Sequence, residues 1–183
     1  MADLTLASAS PQRRAILEQL GIEFAVEAPR VEELTEGDPP AVVLENASRK
    51  ARAVEGERVL AADTAVVLDG RIFGKPGDAS QAETFLRSLS GRTHEVMSGI
   101  VLRAGGDERS DVAVTRVRFR ALEQRDIDWY LESGEWNGRA GGYAIQGRGS
   151  ALVAEIEGDY WNVVGLPVSA LVELAPDLFA GVS

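Results

Sequence analysis

Leu4-Thr5-Leu6-Ala7-Ser8-Ala9-Ser10-Pro11 places the end of a strand beside the start of a helix. Leu4 to Ala7 is a short, mostly apolar run of the kind that forms a strand. Ser10 offers a side-chain oxygen to the free N–H groups of a first helical turn, and Pro11 suits the first helical position, where no N–H is needed. Ile16, Leu17 and Leu20 follow at helical spacing, and Gly21 is a natural stop because it tolerates left-handed backbone. A strand running straight into a helix is the building unit of α/β proteins.

Outward from this segment the alternation continues. Asp38-Pro39-Pro40 opens a second helix whose inner face carries Val43, Ala47, Ala51 and Val54. Val59 to Ala62 reads as a buried strand, and Val66 to Phe73 as a hairpin turning at Asp69-Gly70. Asp78-Ala79-Ser80-Gln81 resembles a capping box, followed by Ala82, Phe85, Leu86 and Leu89 at helical spacing before Gly91. Val96 to Leu102 and Val112 to Phe119 are predicted strands, and Ile127, Tyr130 and Leu131 mark a short helix ending at Gly134. Within the glycine-rich stretch from Gly134 to Gly149, Tyr143 to Ile145 is predicted as a short strand. Ala151 to Ile156 and Tyr160 to Val164 are predicted as a hairpin over Glu157-Gly158-Asp159, with a last helix from Pro167. Hairpins among the helix–strand units predict an α/β fold with a mixed, twisted sheet and flanking helices, rather than a purely parallel one. No boundary divides the chain, so residues 1–183 are read as a single domain.

The chain has 183 residues, 45% of them hydrophobic, enough for a packed interior. No apolar run approaches the ~18 residues of a membrane span. Met1-Ala2-Asp3-Leu4 lacks the basic and apolar regions of a signal peptide. There is no cysteine and one histidine, which excludes disulfides and thiolate or multi-histidine metal sites and leaves carboxylates, suited to a hard ion such as magnesium. These features together predict a cytoplasmic protein. The net charge of −10 argues against a polynucleotide partner, so any phosphate chemistry requires a small, locally basic pocket.

Candidate residues for such a pocket are scattered. The start of the first helix, with its free N–H groups and positive dipole end, is a ready anion site flanked by Ser8 and Ser10. Arg13 and Arg14 sit in that first turn, where the dipole disfavours positive charge unless an anion joins them. Arg13 leans toward the apolar side shared with Ile16 and Leu17. The same residues also fit an ordinary capped helix with two surface arginines. Lys50 falls on the inner face with Val43, Ala47 and Val54, whereas Arg49 and Arg52 point outward with Glu45. A lysine there either snorkels to solvent or meets an anion. Lys75, in Gly74-Lys75-Pro76 after a strand, is a further candidate.

Asp63 follows the Val59 to Ala62 strand, a position suited to holding a metal or activating water, and equally to capping a turn. Thr64 beside it can hydrogen-bond a ligand. Glu33, in a loop, offers further oxygen ligands. His94 is expected to be structural, and no Gly-x-Ser-x-Gly elbow supports a serine triad. Gly138 to Gly147 lacks the Gly-Lys-Ser/Thr ending of a P-loop. Its glycines allow close approach to a ligand, and Gln146 can read a base edge; a flexible loop is the plainer alternative.

Taken in order, Leu6-Ala7-Ser8-Ala9-Ser10-Pro11, Ala62-Asp63-Thr64, Gly74-Lys75-Pro76, Leu89-Ser90-Gly91-Arg92-Thr93-His94-Glu95-Val96, Tyr143-Ala144-Ile145-Gln146-Gly147 and Asn162-Val163-Val164-Gly165-Leu166-Pro167 resemble the Maf proteins. That family consists of nucleoside triphosphate pyrophosphatases first linked to septum formation. The resemblance implies two lobes around a deep cleft, similar to inosine triphosphate pyrophosphatases, a Mg2+ or Mn2+ cofactor and a homodimer. It implies cleavage of a nucleoside triphosphate to monophosphate and pyrophosphate. A nucleotide-binding regulator of cell division with little catalysis is the alternative it leaves. By resemblance Asp63 is the proton acceptor, Arg13, Lys50 and Lys75 contact phosphates, Ser8 belongs to the N-terminal motif, and Glu33 is an acidic cleft residue. In the branch acting on dTTP and UTP, the positions of Gln12, Thr64 and Gln146 are typically Arg, Thr and Gln. This chain keeps two of the three and resembles the 7-methyl-GTP branch less. Gly138-Arg139 stands where the family usually has Asp-Lys.

Overall fold

The computed structural model describes residues 3–180, so Met1 and Ala2, part of the start read for a signal peptide, and residues 181–183 lie outside the described residues. The elements in chain order are β1 (Leu4–Ala7), α1 (Pro11–Gln19), β2 (Ala25–Glu27), α2 (Pro39–Arg52), β3 (Arg58–Leu68), β4 (Arg71–Phe73), α3 (Ala79–Leu89), β5 (Thr93–Ala104), β6 (Asp107–Phe119), α4 (Gln124–Leu131), β7 (Val153–Glu157), α5 (Tyr160–Val164) and α6 (Val168–Leu174). Among the described residues seven strands form one open sheet in the order β2-β1-β3-β5-β6-β7, with β4 paired to β3. The β1 strand is parallel to β2 and β3; every other pairing is antiparallel. The mixed α/β sheet expected from the hairpins is what forms.

Side chains alternate across β3, and this alternation divides the core. Val59, Ala61, Ala65 and Val67 pack toward α2, with Val43, Ala47 and Ala51 opposite them. Leu60 and Ala62 pack on the other face with Ile16 and Leu17 of α1, Leu166 and Leu171. Further along that face, Val66 and Leu68 join Phe85, Leu86 and Leu89 of α3 and Ile127 and Tyr130 of α4. One glycine sets the spacing of the α2 layer. Gly99 of β5 lies opposite Asp63 of β3, and a Cβ there would stand 2.4 Å from the Val43 carbonyl oxygen. The backbone of α2 therefore rests directly on the sheet.

Three expectations about elements are corrected. The strand read as Val59 to Ala62 does not stop before Asp63; β3 is continuous to Leu68, and the Asp69-Gly70 turn (φ 52° and 74°) returns the chain into β4. Polar Asp63 and Thr64 gave the impression of a break. Tyr143 to Ile145 is not a strand. The positive φ angles of Gly141, Gly142 and Gly147 hold the chain in short 3-10 turns, and the alternation of Tyr143 and Ile145 reflects burial without sheet pairing. Tyr160–Val164 is a helix, because Asp159 accepts from the N–H groups of Trp161 (2.8 Å) and Asn162 (3.4 Å). The preceding strand, β7, instead pairs with β6.

Candidate functional site

Where β1 ends and α1 begins, β3 runs on past its parallel partner, paired with β5 and, near its end, β4. The last paired residues are Leu6 and Leu60, so Asp63 and Thr64 border the space beyond the carboxyl end of β1. Ligands of open α/β sheets bind at such ends. A pocket of about 400 Å3 lies there, bounded by the Ser8–Arg13 turn, Asp63, Thr64, Lys75, the Asn137–Gln146 segment and Val163–Gly165. Its volume suits a small-molecule ligand. Four cations, Arg13, Lys50, Lys75 and Arg139, line it with two carboxylates, Glu33 and Asp63. The pocket is thus locally positive in a chain of net charge −10.

Adjacent residues of β3 serve opposite faces of the sheet. On the α2 face, the Asp63 carboxylate accepts from Lys50 Nζ at 2.6 Å through Oδ1 and from Asn46 Nδ2 at 2.9 Å through Oδ2. The same ammonium reaches Glu33 at 2.8 Å. Lys50 is buried, so of the two sequence readings, snorkelling or meeting an anion, the second holds. On the α1 face, Arg13 is buried and held by three of its five N–H donors. It donates to the Gly165 carbonyl (2.8 Å), Ser8 Oγ (3.3 Å) and Thr64 Oγ1 (3.1 Å). Burial lowers its pKa, and the charges of Asp63 and Glu33 oppose that shift. Thr64 also shares a hydrogen bond of 2.8 Å with Ser98, fully buried on β5.

The helix start is built as its residues suggest. Ser8 Oγ accepts from Ser10 N at 3.1 Å, and Ser10 Oγ accepts from Arg13 N at 3.5 Å and donates to Gln12 Oε1 at 3.1 Å. Ser8, Ser10, Gln12, Arg13, Glu33, Lys50, Asp63, Thr64, Lys75 and Gln146 all line the one pocket. Arg14 does not; one helical step from Arg13, it points outward into an ion pair with Glu18 at 2.7 Å. Lys75 is exposed and makes no ion pair among the described residues. Asn46 was missed by sequence reasoning, although a signal existed: it lies three residues after Val43 and four before Lys50, on the inner face. Asn137 and Arg139, from the glycine-rich stretch, also line the pocket.

An open α/β sheet with Arg13, Lys50 and Asp63 buried at the end of a parallel strand defines a protein with a site suited to a small polyanion. A family profile described as Maf-like protein matches residues 3–178. The chain belongs to that family. Its relatives include proteins named dTTP/UTP pyrophosphatase from Symbiobacterium thermophilum (48% identical, covering 95% of this chain and 93% of the relative) and Anaeromyxobacter dehalogenans (50%, covering 93% and 91%). A third of the same name, from Pyrococcus furiosus, is 42% identical over 95% of this chain and 94% of its own.

Proposed function

We propose that this protein hydrolyses nucleoside triphosphates, dTTP and UTP foremost, to the monophosphate and pyrophosphate. The observation that carries the reading is the Asp63 carboxylate, fixed by Lys50 and Asn46 at the border of a positively charged pocket. The names of relatives near 50% identity support the same substrates. They favour catalysis over the reading as a cell-division regulator.

In this proposal Ser8, Ser10, Arg13, Lys50 and Lys75 hold the triphosphate, without Arg14. Asp63 orients a water and takes its proton. The water oxygen bonds to the α-phosphorus as the bond from that phosphorus to the α–β bridging oxygen breaks, and pyrophosphate leaves with the electron pair. Such chemistry depends chiefly on positioning and charge neutralisation.

The divalent cation that the resemblance implies fits these residues. Asp63 and Glu33 already converge on one cationic group, the Lys50 ammonium, and their oxygens suit Mg2+ or Mn2+. Among the described residues no cluster of three or more acidic or histidine side chains gathers to hold a metal, so phosphate oxygens and water would complete the donor set around Glu33 and Asp63. When bound, the ion would neutralise charge on the phosphates.

Gln12, Thr64 and Gln146 are the proposed specificity residues. Gln12 and Gln146 line the pocket, whereas the Thr64 hydroxyl is committed to Arg13 and Ser98, so its influence on the ligand passes through Arg13. A homodimer, carried by the resemblance, and a cytoplasmic location, carried by the composition, belong to the same proposal; no helix among the described residues is long and apolar enough to cross a membrane. Sedimentation tests the dimer.

The deciding experiment is a panel of triphosphates with Mg2+ or Mn2+, identifying both products. Pyrophosphate and monophosphate are expected, and Asp63→Asn should lower kcat by roughly 10²–10⁴-fold at saturating metal. Orthophosphate as the product, or near-normal turnover in that variant, would sink the proposal.

A further inference from the structure

Asn46 is 2% exposed, and both ends of its carboxamide are hydrogen-bonded. Oδ1 accepts from Leu34 N at 2.7 Å; Nδ2 donates to Leu34 O at 3.0 Å and to Asp63 Oδ2 at 2.9 Å. The two bonds to Leu34 fix which end of the amide is oxygen, since only the oxygen can receive the N–H and only the nitrogen can meet the carbonyl. With that orientation set by backbone, the second Nδ2 hydrogen is directed to Asp63. Leu34 follows Glu33 in the chain, so one side chain grips both the acidic loop and the strand carboxylate.

Neighbouring residues of α2 extend the grip. Arg49 donates to the Glu32 carbonyl at 3.1 Å, and Lys50 pairs with Glu33 at 2.8 Å. Asn46 and Lys50, one turn apart, with Arg49 at the outer edge of that face, thus hold Glu32, Glu33 and Leu34. The loop has no regular secondary structure of its own and is largely exposed. Its register against Asp63 comes from α2, and α2 in turn is seated on Gly99, opposite Asp63.

We infer that Asn46 is a positioning residue: its carboxamide sets the Asp63 carboxylate and the Glu33 loop in one fixed relation, so that both acids reach the same ligand. The inference rests on the pyrophosphatase reading for its catalytic consequence, but the spacing of the two carboxylates is a property of the protein alone. A leucine at this position fills similar space and holds neither group. An aspartate keeps the acceptor for Leu34 N–H but sets a carboxylate against both the Leu34 carbonyl and Asp63.

The test is a double-mutant cycle on the full chain, read by Mn2+ binding in electron paramagnetic resonance with a non-hydrolysable dTTP analogue bound, and by steady-state kinetics with dTTP. Asn46→Leu should weaken Mn2+ binding and lower kcat by about 10–100-fold each, the scale for groups that orient metal ligands, while KM moves less than about threefold. In an Asp63→Asn background the same substitution should cost Mn2+ affinity only about threefold or less, because one of the two carboxylates it relates is gone and only the Glu33 loop is left to release. Equal losses in both backgrounds, or Mn2+ affinity and kcat within twofold of wild type, would overturn the role. If thermal melts show that the leucine variant does not fold, Asn46→Ala, which removes the carboxamide without adding a charge or a metal ligand, takes its place in the cycle with the same expected outcomes. Failure of the wild-type chain to release pyrophosphate would defeat the proposed function, while the Mn2+-binding cycle would still decide the role of Asn46 independently.

Discussion

His94 stands on β5 between aromatic rings, with its centroid 5.0 Å from Phe119 and 5.4 Å from Tyr143. Its Nε2 shares a hydrogen bond of 2.7 Å with the Tyr143 hydroxyl, and its Nδ1 has no partner among the described residues. Burial lowers the imidazole pKa to about 4, because a charged ring there would lose its hydration. In the unfolded chain the group titrates near ~6.5. Between those values the unfolded state binds more protons, so stability falls as pH drops through this window and is intact above it. Wild type should lose about 2 kcal/mol more than His94→Gln between pH 7 and pH 5, measured as the difference in urea midpoints at each pH. An equal loss in both proteins would show that His94 is not held neutral. The structural role expected of this histidine was legible because a lone imidazole among apolar strand residues has few other uses. Arg13, Lys50 and Asp63 were legible for a similar reason: a charge on an apolar face, or next to one, is a local anomaly. Asn46 escaped because a neutral amide raises no such alarm, and its partners Leu34 and Asp63 come from other elements.

Among the elements, α1, α2, α3 and α4 were readable from caps and spacing, and the Asp69-Gly70 turn from its residue types. Two of the errors fell on short apolar runs, where period and length do not separate strand from helix, and the third on polar Asp63 and Thr64, which hid the length of β3. Tyr160–Val164 became a helix through a single cap at Asp159, and the run at Tyr143 stayed irregular because glycines on both sides occupy left-handed backbone. The three-residue edge strand β2 carried no usable pattern, since all its residues are exposed. The contact between α2 and the sheet is the element-scale feature most exposed to test. Gly99→Ala would press a methyl group into the Val43 carbonyl, which α2 can relieve only by lifting away from β3. A loss of about 1–3 kcal/mol in stability is expected from such overpacking, together with a fall in kcat because Lys50 and Asn46 move with the helix. An alanine variant with the wild-type urea midpoint and turnover would show that α2 is not so tightly seated.

At the scale of the molecule, sheet order was beyond sequence reach: which strands neighbour one another depends on crossovers that composition and periodicity do not encode. The pocket nonetheless gathers residues from the first helix to Gly165, so nearly the whole chain contributes to one site. We therefore propose that the described residues, 3–180, fold as one cooperative domain. Heating should give a single transition, and a non-hydrolysable triphosphate at about 100 times its Kd should stabilise it by ~2.7 kcal/mol, equivalent to roughly 5–10 °C for a chain of this size. Differential scanning calorimetry would reveal two separately responding transitions if the chain were instead two units.

The placement of Asp63 and Thr64 as neighbours on opposite faces of β3 has a consequence for how the chain can fail. A slip of one residue in the pairing of β3 would turn every side chain to the other side. The carboxylate would then meet Arg13, and the hydroxyl would face Lys50. Such a chain could be compact, with much of its hydrogen bonding intact, and still lack the arrangement proposed for turnover. Specific activity per folded molecule would consequently report strand alignment, and refolded preparations could be graded by it where spectroscopic measures of secondary structure would rate them as equal.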